Sequence, residues 1–231
     1  MIWLALLNIG SGVGAVSQPI PLKGQEAGKA SAADLKILND SGTYVAMSKA
    51  DACTINIGQI AFTEGDSISG SFTRKGARQR VIASECGVGG PFGYFLIGVV
   101  DGSKLVKTYY VEARGISIKK FRDLNMNGTE EILLSSGYGG DGEMGGFISV
   151  VDFSEKGTKE YGAYHTELTV CMWDPSHKAA DIESNVYATP GIQPKFTADV
   201  KSTDCETQKT ITSSHKSVKA EGPSLTIIKL R

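Results

Sequence analysis

An internal repeat constrains the fold of this chain more than any other feature of its sequence. Residues 81–101 and 132–152 align without gaps at an offset of 51 residues. Each segment reads as an apolar run, a glycine-rich stretch, a second apolar run and a closing aspartate. Short apolar runs bounded by turn residues are typical of β-hairpins. The sequence therefore predicts two related hairpins, and the alternative is a chance similarity between unrelated ones.

The composition agrees with a fold made of strands and turns. Glycine accounts for 28 of 231 residues, and glycine is unfavourable inside helices. Further β-branched or aromatic runs predict strands at residues 53–57, 94–100, 116–121, 147–153, 168–173 and 196–200. A repeat of about 40–50 residues that contains several strands is typical of propeller blades and related arrays. We predict an all-β fold of blade-like antiparallel repeats, forming a β-propeller or part of one.

One or two short helices accompany these strands. Ser31 followed by Asp34 resembles a capping box, in which the side chains satisfy backbone N–H groups of the first helical turn. This pattern predicts a helix that ends near Leu38. A second helix is predicted after Asp174, where the aspartate would cap and Pro175 would take the first helical position.

The first 17 residues resemble a secretory leader. They are uncharged and mostly apolar, and Ala15 and Ser17 are small residues at the −3 and −1 positions of a cleavage site. No basic residue precedes Lys23, so a buried N-terminal strand is the alternative. The predicted organisation is a signal peptide at 1–17, a linker at 18–30, a β-repeat domain at 31–160 and a C-terminal β segment at 161–231 packed on it. No membrane span is expected in the mature chain, and we predict a secreted or periplasmic protein.

Four cysteines fit an exported chain: Cys53, Cys86, Cys171 and Cys205. None forms a Cys-x-x-Cys pair, so the close ligand spacing of zinc sites is absent. Among three possible connectivities, we predict Cys53–Cys86 and Cys171–Cys205, which close two local loops. Four buried free thiols are the alternative.

A run of oxygen-bearing side chains precedes the second repeat. Residues 123–131 read D-x-N-x-N-G-x-x-E, with side-chain oxygens at alternate positions and a glycine at position 6. Calcium takes six to eight oxygen ligands, and such a loop supplies five or six. The sequence predicts a Ca²⁺ site; its ligands would be Asp123, Asn125, Asn127, the Thr129 carbonyl and Glu131. An Asn- and Gly-rich turn that binds nothing is the alternative.

This loop and the following strand resemble the FG-GAP or VCBS-type repeat. The resemblance is strongest over residues 121–153 and extends more weakly to residue 72. It implies blades like those of integrin-α β-propellers, with calcium in a loop between two strands. The first copy departs from the pattern, because residues 72–80 contain no acidic ligand. Two copies also fall short of a closed propeller, which has at least four blades.

Two classes of function follow. The near-neutral charge, −1 at pH 7, argues against nucleic acid as a partner. The first class is a calcium-binding module that recognises an extracellular protein or a glycan through its glycine-rich loops. The alternative is an exported hydrolase, or an inhibitor of one, that uses loop carboxylates with His165. The candidate binding-loop residues are Phe92, Tyr138, Asp141 and Glu143. No catalytic motif is recognisable, so we favour a binding module over an enzyme.

Overall fold

The computed structural model describes residues 18–40, 62–89, 92–140, 143–153, 158–171, 180–218 and 226–230. Within these residues it contains one helix and fourteen strands. In chain order they are β1 (Ile20–Pro21), β2 (Gln25–Glu26), β3 (Gly28–Lys29), α1 (Ala32–Asp40), β4 (Asp66–Gly70), β5 (Gln79–Gly89), β6 (Phe92–Asp101), β7 (Lys104–Lys120), β8 (Ile132–Gly140), β9 (Glu143–Asp152), β10 (Lys159–Thr169), β11 (Ala180–Thr189), β12 (Lys195–Asp204), β13 (Thr210–Ser217) and β14 (Thr226–Leu230). The prediction of an all-β fold is confirmed.

The strands follow one another as an antiparallel meander. From β3 to β13, each strand pairs with the next strand along the chain. Three short strands add to this series from the side: β1 pairs with β11, and β2 and β14 both pair with β7. The pairings among the described residues form one continuous series.

Both repeat segments form hairpins, as predicted. The first copy is the β5–β6 hairpin and the second is the β8–β9 hairpin. Their tips have equivalent registers, because Gly89 pairs with Phe92 and Gly140 pairs with Glu143. The first hairpin shifts register between Glu85 and Val88, whereas the second is regular along its length.

Strand β7 links the two halves of the sheet. Its first part pairs with β6 and its last residues pair with β8, and the β7–β8 ladder is interrupted between Arg114 and Ser117. One buried cluster unites side chains from both halves, including Val81 and Ile97 of the first hairpin and Ile132 and Val151 of the second. The two hairpins therefore share a core, which fixes the loops at their bases relative to each other.

Two further clusters cover the remaining faces of the hairpins. Leu38 of α1 packs against Ile82, Leu96 and Val100 of the first hairpin. On the second hairpin, Leu133 and Val150 pack with β11 and β12 residues, and the Tyr164 and Phe196 rings stack with centroids 4.7 Å apart. Burial of these apolar side chains holds the helix and the C-terminal strands on the repeat hairpins.

The first helix has the predicted N-terminal cap. The Asp34 backbone N–H donates to Ser31 Oγ at 3.1 Å, and Ser31 Oγ donates to Asp34 Oδ2 at 2.8 Å. The helix continues to Asp40, two residues beyond the predicted end. The second predicted helix, at residues 174 onwards, lies outside the described residues, as does the predicted strand at 53–57.

Two boundaries differ from the sequence predictions. The segment assigned to a linker, residues 18–30, instead forms β1, β2 and β3 against the sheet, with Leu22 buried between them. The strand predicted at 168–173 ends at Thr169. It ends there because the Val170 and Cys171 backbone N–H groups both donate to Asp181 Oδ1 rather than to a neighbouring strand.

Candidate metal centre

The loop predicted to bind calcium connects β7 to β8. Its ends are joined by a hydrogen bond from the Phe121 N–H to the Glu131 carbonyl, 2.8 Å long. Leu124 is completely buried and anchors the loop in the core, while Met126 at the tip is exposed. Gly128 has φ of 88°, a left-handed conformation that glycine adopts without steric cost. The predicted position-6 glycine therefore has the required conformation.

The side-chain oxygens of the first three predicted ligands accept hydrogen bonds from backbone N–H groups of the loop. Asp123 accepts from the Asn127 N–H at 3.1 Å and from the Gly128 N–H at 2.7 Å. Asn125 Oδ1 accepts from the Asn127 N–H at 2.9 Å. Asn127 Oδ1 in turn accepts from the Thr129 N–H at 2.7 Å. Side chains of this type that bond to the backbone two residues on stabilise tight turns.

Glu131 is the unusual member of the set. It is 0 % exposed, and its Oε2 accepts from the Leu124 N–H at 2.7 Å. Its Oε1 has no well-formed hydrogen bond to any described residue. Burial, together with the nearby charges of Asp152 and Asp123, raises the pKa of Glu131 to about 8, against the opposing backbone hydrogen bonds from Leu124 and Asn125. A buried acceptor without a partner carries a desolvation cost that a bound cation would remove.

The structure adds Asp152, which the sequence analysis did not place at this site. It is 4 % exposed at the end of β9. Its Oδ2 accepts from Asn125 Nδ2 at 2.8 Å and from Asn127 Nδ2 at 3.1 Å. The repeat alignment contained the signal, because Asp152 and Asp101 are the closing aspartates of the two copies.

Tyr161 of β10 closes the site on another side. Asn125 Nδ2 lies 2.5 Å from the Tyr161 hydroxyl oxygen. Burial, with the neighbouring Asp152, Glu131 and Asp123 charges, raises the pKa of Tyr161. Lys159 Nζ lies 4.5 Å from the centroid of the Tyr161 ring. The loop is therefore held between the end of one strand and an aromatic side chain on the next.

The predicted ligands are of the atom type that a hard divalent cation prefers. The predicted ligands are oxygens: the carboxylates of Asp123 and Glu131, the amide oxygens of Asn125 and Asn127, and the Thr129 carbonyl. Calcium prefers carboxylate and carbonyl oxygens over nitrogen or sulfur. The unpartnered Glu131 Oε1 is the observation that distinguishes this loop from a turn whose polar groups are all satisfied.

The equivalent loop of the first copy is satisfied without a metal. The buried Gln79 pairs with the closing aspartate Asp101 in the β5–β6 ladder, and its Oε1 accepts from the Phe72 and Thr73 N–H groups. Gln79 Nε2 donates to Asp101 Oδ2 at 3.3 Å, and Arg74 forms an ion pair with the same oxygen at 2.6 Å. The Arg74 hydrogen bond holds the pKa of Asp101 below its ordinary value. An amide and a guanidinium thus replace the second copy's carboxylate.

The two loops also contact each other. The Ser71 N–H donates to Glu130 Oε2 at 2.8 Å, and the Glu130 N–H donates to the Ser71 carbonyl at 2.8 Å. An added Cβ at Gly128 would lie 2.8 Å from Lys75 Cδ. The candidate metal loop is therefore packed against its counterpart in the first copy.

One of the two predicted disulfides is confirmed. Cys171 and Cys205 are bonded, with their Cα atoms 4.9 Å apart. Asp181 lies near both sulfur atoms, but the bonded sulfurs are not thiolates and Asp181 accepts two backbone N–H groups. This group is a structural crosslink rather than a metal site. Cys53 and the side chain of Cys86 lie outside the described residues, so their pairing stays a prediction.

The candidate binding-loop residues lie at the hairpin tips. Phe92 opens β6, Glu143 opens β9 and Tyr138 lies near the end of β8. Their side chains, and all of Asp141, lie outside the described part of the chain. His165 is half buried on β10, opposite Phe147 of β9. The loop carboxylates of the hydrolase alternative thus lie outside the described residues, and that alternative stays a prediction.

Comparisons with known proteins give no match. No protein-family model, no curated protein and no solved structure is significantly similar to this chain. The resemblance to FG-GAP or VCBS repeats therefore stays a prediction from the sequence. In the described part of the chain, no helix has the length and apolar character needed to cross a membrane.

Proposed function

We propose that this chain is a calcium-binding β-sheet module that binds Ca²⁺ in the loop between β7 and β8. The ligands are Asp123, Asn125, Asn127, the Thr129 carbonyl and Glu131. The observation that carries the proposal is Glu131, a fully buried carboxylate whose Oε1 has no well-formed hydrogen bond to any described residue. Two charged ligands favour a weak site, with a Kd of about 10⁻⁴–10⁻³ M, as in extracellular calcium modules.

We further propose that the module works outside the cytoplasm and recognises a protein or a glycan. The Cys171–Cys205 disulfide supports this location, because disulfides persist mainly in secreted and periplasmic proteins. The glycine-rich tips of the two repeat hairpins are the proposed recognition surface, with Phe92 and Tyr138 as aromatic contacts. Calcium would act by fixing the loop at the base of the second hairpin.

A calcium titration tests the metal site. The protein is stripped with EDTA, and its calcium affinity and melting temperature are measured as Ca²⁺ is added. Binding only to the folded state adds about 2.7 kcal/mol at a hundredfold excess over Kd, so several-millimolar calcium should raise the melting temperature. Asp123→Ala should abolish the shift, and Asp123→Asn, which keeps an acceptor for the loop N–H groups, should reduce it.

Arg78→Ala is the matched control. Arg78 is exposed on the first-copy loop, so its loss should leave the calcium response intact. If wild-type protein shows neither calcium binding nor a stability shift at several millimolar, the loop is an ordinary turn and the proposal is wrong.

A further inference from the structure

The two asparagine ligands are held in one orientation by a residue outside the loop. An asparagine side chain has an acceptor oxygen on one side and a donor NH₂ on the other. In Asn125 and Asn127, both Oδ1 atoms accept backbone N–H groups within the loop. Both NH₂ groups donate to the same oxygen, Oδ2 of Asp152. Flipping either amide would place its oxygen against the Asp152 carboxylate.

This arrangement explains why the loop has asparagine at these two positions. A carboxylate is the stronger calcium ligand, but an ionised carboxylate has no donor. An aspartate at 125 or 127 would place a second negative charge against Asp152 with no hydrogen bond between them. An asparagine amide serves both requirements, because its NH₂ group donates to Asp152 while its oxygen accepts a backbone N–H of the loop.

The first copy uses its closing aspartate in a similar way. Asp101 accepts from Arg74 and Gln79, which belong to the preceding loop and the start of the next strand. In both copies, therefore, the aspartate that ends the hairpin accepts donors from the turn before that hairpin. The copies differ in the donors that the aspartate accepts: a guanidinium and one amide in the first copy, and two amides in the second.

We propose that Asp152 is a positioning residue for the calcium site, which sets the amide oxygens of Asn125 and Asn127 as ligands by accepting both NH₂ groups. The inference rests on the proposed calcium binding at residues 123–131. It assigns to the site a residue that lies 27 positions from Asn125 along the chain. The orientation of the loop's asparagine ligands thus depends on the residue that ends the following β8–β9 hairpin.

Removing the acceptor is the first test. Calcium affinity is measured by titration with Ca²⁺ alone for wild type, Asp152→Ala and Asp152→Asn, and unfolding in EDTA is measured alongside. Asp152→Ala should weaken binding about tenfold or more, comparable with the loss of other outer-shell partners of metal sites. Asp152→Asn keeps an acceptor oxygen and should recover most of that loss. Asp101→Ala is the same change in the first copy and should leave calcium affinity unchanged.

A double-mutant cycle tests the orientation directly. In the wild-type background, Asn125→Asp should fail to tighten calcium binding, because the new carboxylate faces Asp152. In the Asp152→Asn background, the amide at position 152 can donate to the carboxylate introduced at position 125, and the same change should tighten binding. Directly interacting residues show such non-additivity, and we expect a coupling of about tenfold in Kd.

The outcomes separate the two proposals. If wild-type protein binds no calcium, the proposed function is wrong and this inference is wrong with it. If wild type binds but Asp152→Ala binds equally well, only the inference is overturned. It is also overturned if Asp152→Asn is as weak as Asp152→Ala, which would indicate a role for charge alone, or if the cycle shows no coupling.

Discussion

Replacing Glu131 with glutamine should stabilise the metal-free protein while it removes the calcium response. Glu131 is completely buried, and its pKa is raised from 4.5 to about 8, chiefly by burial and then by the Asp152 and Asp123 charges. Glutamine has nearly the same shape and no ionisable group. The first copy already has a glutamine beside its closing aspartate, since Gln79 pairs with Asp101 and is buried with its amide fully engaged.

The direction of the effect follows from proton binding. Between pH 4.5 and about 8 the folded protein holds a proton on Glu131 that the unfolded chain releases. The free energy of unfolding therefore falls as pH rises through this window, and it is unaffected by Glu131 below the window. Each pKa unit corresponds to about 1.4 kcal/mol. At pH 7 the ionisable group thus destabilises the metal-free fold by about 3 kcal/mol, and the full cost is reached only above about pH 8.

Urea unfolding in EDTA at several pH values between about 5 and 8 measures this effect. Glu131→Gln should be about 3 kcal/mol more stable than wild type at pH 7, should show a flatter pH profile and should respond little to calcium. For a chain of this length, such a gain raises the melting temperature by roughly 6–12 °C. Gln79→Glu is the mirror variant and should make the fold less stable as pH rises.

Wild-type protein in excess calcium should behave differently. Ca²⁺ favours the ionised form of Glu131, so calcium should reduce or reverse the loss of stability with pH. The reasoning is refuted if Glu131→Gln is no more stable than wild type at pH 7 in EDTA and retains the same pH profile. In that case Glu131 is not a desolvated carboxylate that lacks a partner.

Two further predictions concern the packing and the crosslink around this site. Leu124→Ala should destabilise the protein by about 3 kcal/mol, because the side chain is completely buried; urea unfolding measures this loss. The variant should also bind calcium more weakly, because the loop is less firmly anchored. A calcium titration that gives the wild-type affinity would contradict this second effect. Cys171→Ser removes a disulfide that spans 34 residues and should lower the free energy of unfolding by about 3–4 kcal/mol. Urea unfolding of the oxidised protein measures this difference. Unchanged stability would contradict a structural role for the bond.

Several features of the fold could be predicted from the sequence because their causes are local. Paired apolar runs around a glycine-rich stretch, together with the repeat, predicted both hairpins, and the structure has them with equivalent tips. Ser31 and Asp34 predicted the start of the helix, because a cap needs only residues within one turn. The same holds for the loop between β7 and β8, whose side-chain-to-backbone hydrogen bonds join residues two to five positions apart.

Other features depended on contacts between distant segments. Residues 18–30 contain prolines and glycines and show no periodic pattern of apolar residues. Their pairing with β11, β7 and β4 therefore depended on the unpaired backbone groups of those strands. The continuous meander was likewise not evident from the repeat, because a period specifies the unit and not how units join.

The candidate metal site shows the same division. Its sequence by itself determined the ligand types, their alternate spacing and the glycine that allows the turn. Only the tertiary structure decided that Glu131 is completely buried and that Asp152 reaches both asparagine amides. The physical reason is that burial and the Asp152 contacts arise when the β8–β9 hairpin closes and packs into the shared core. Neither the desolvation of a carboxylate nor the meeting of residues at opposite ends of a hairpin is a property of a short stretch of sequence.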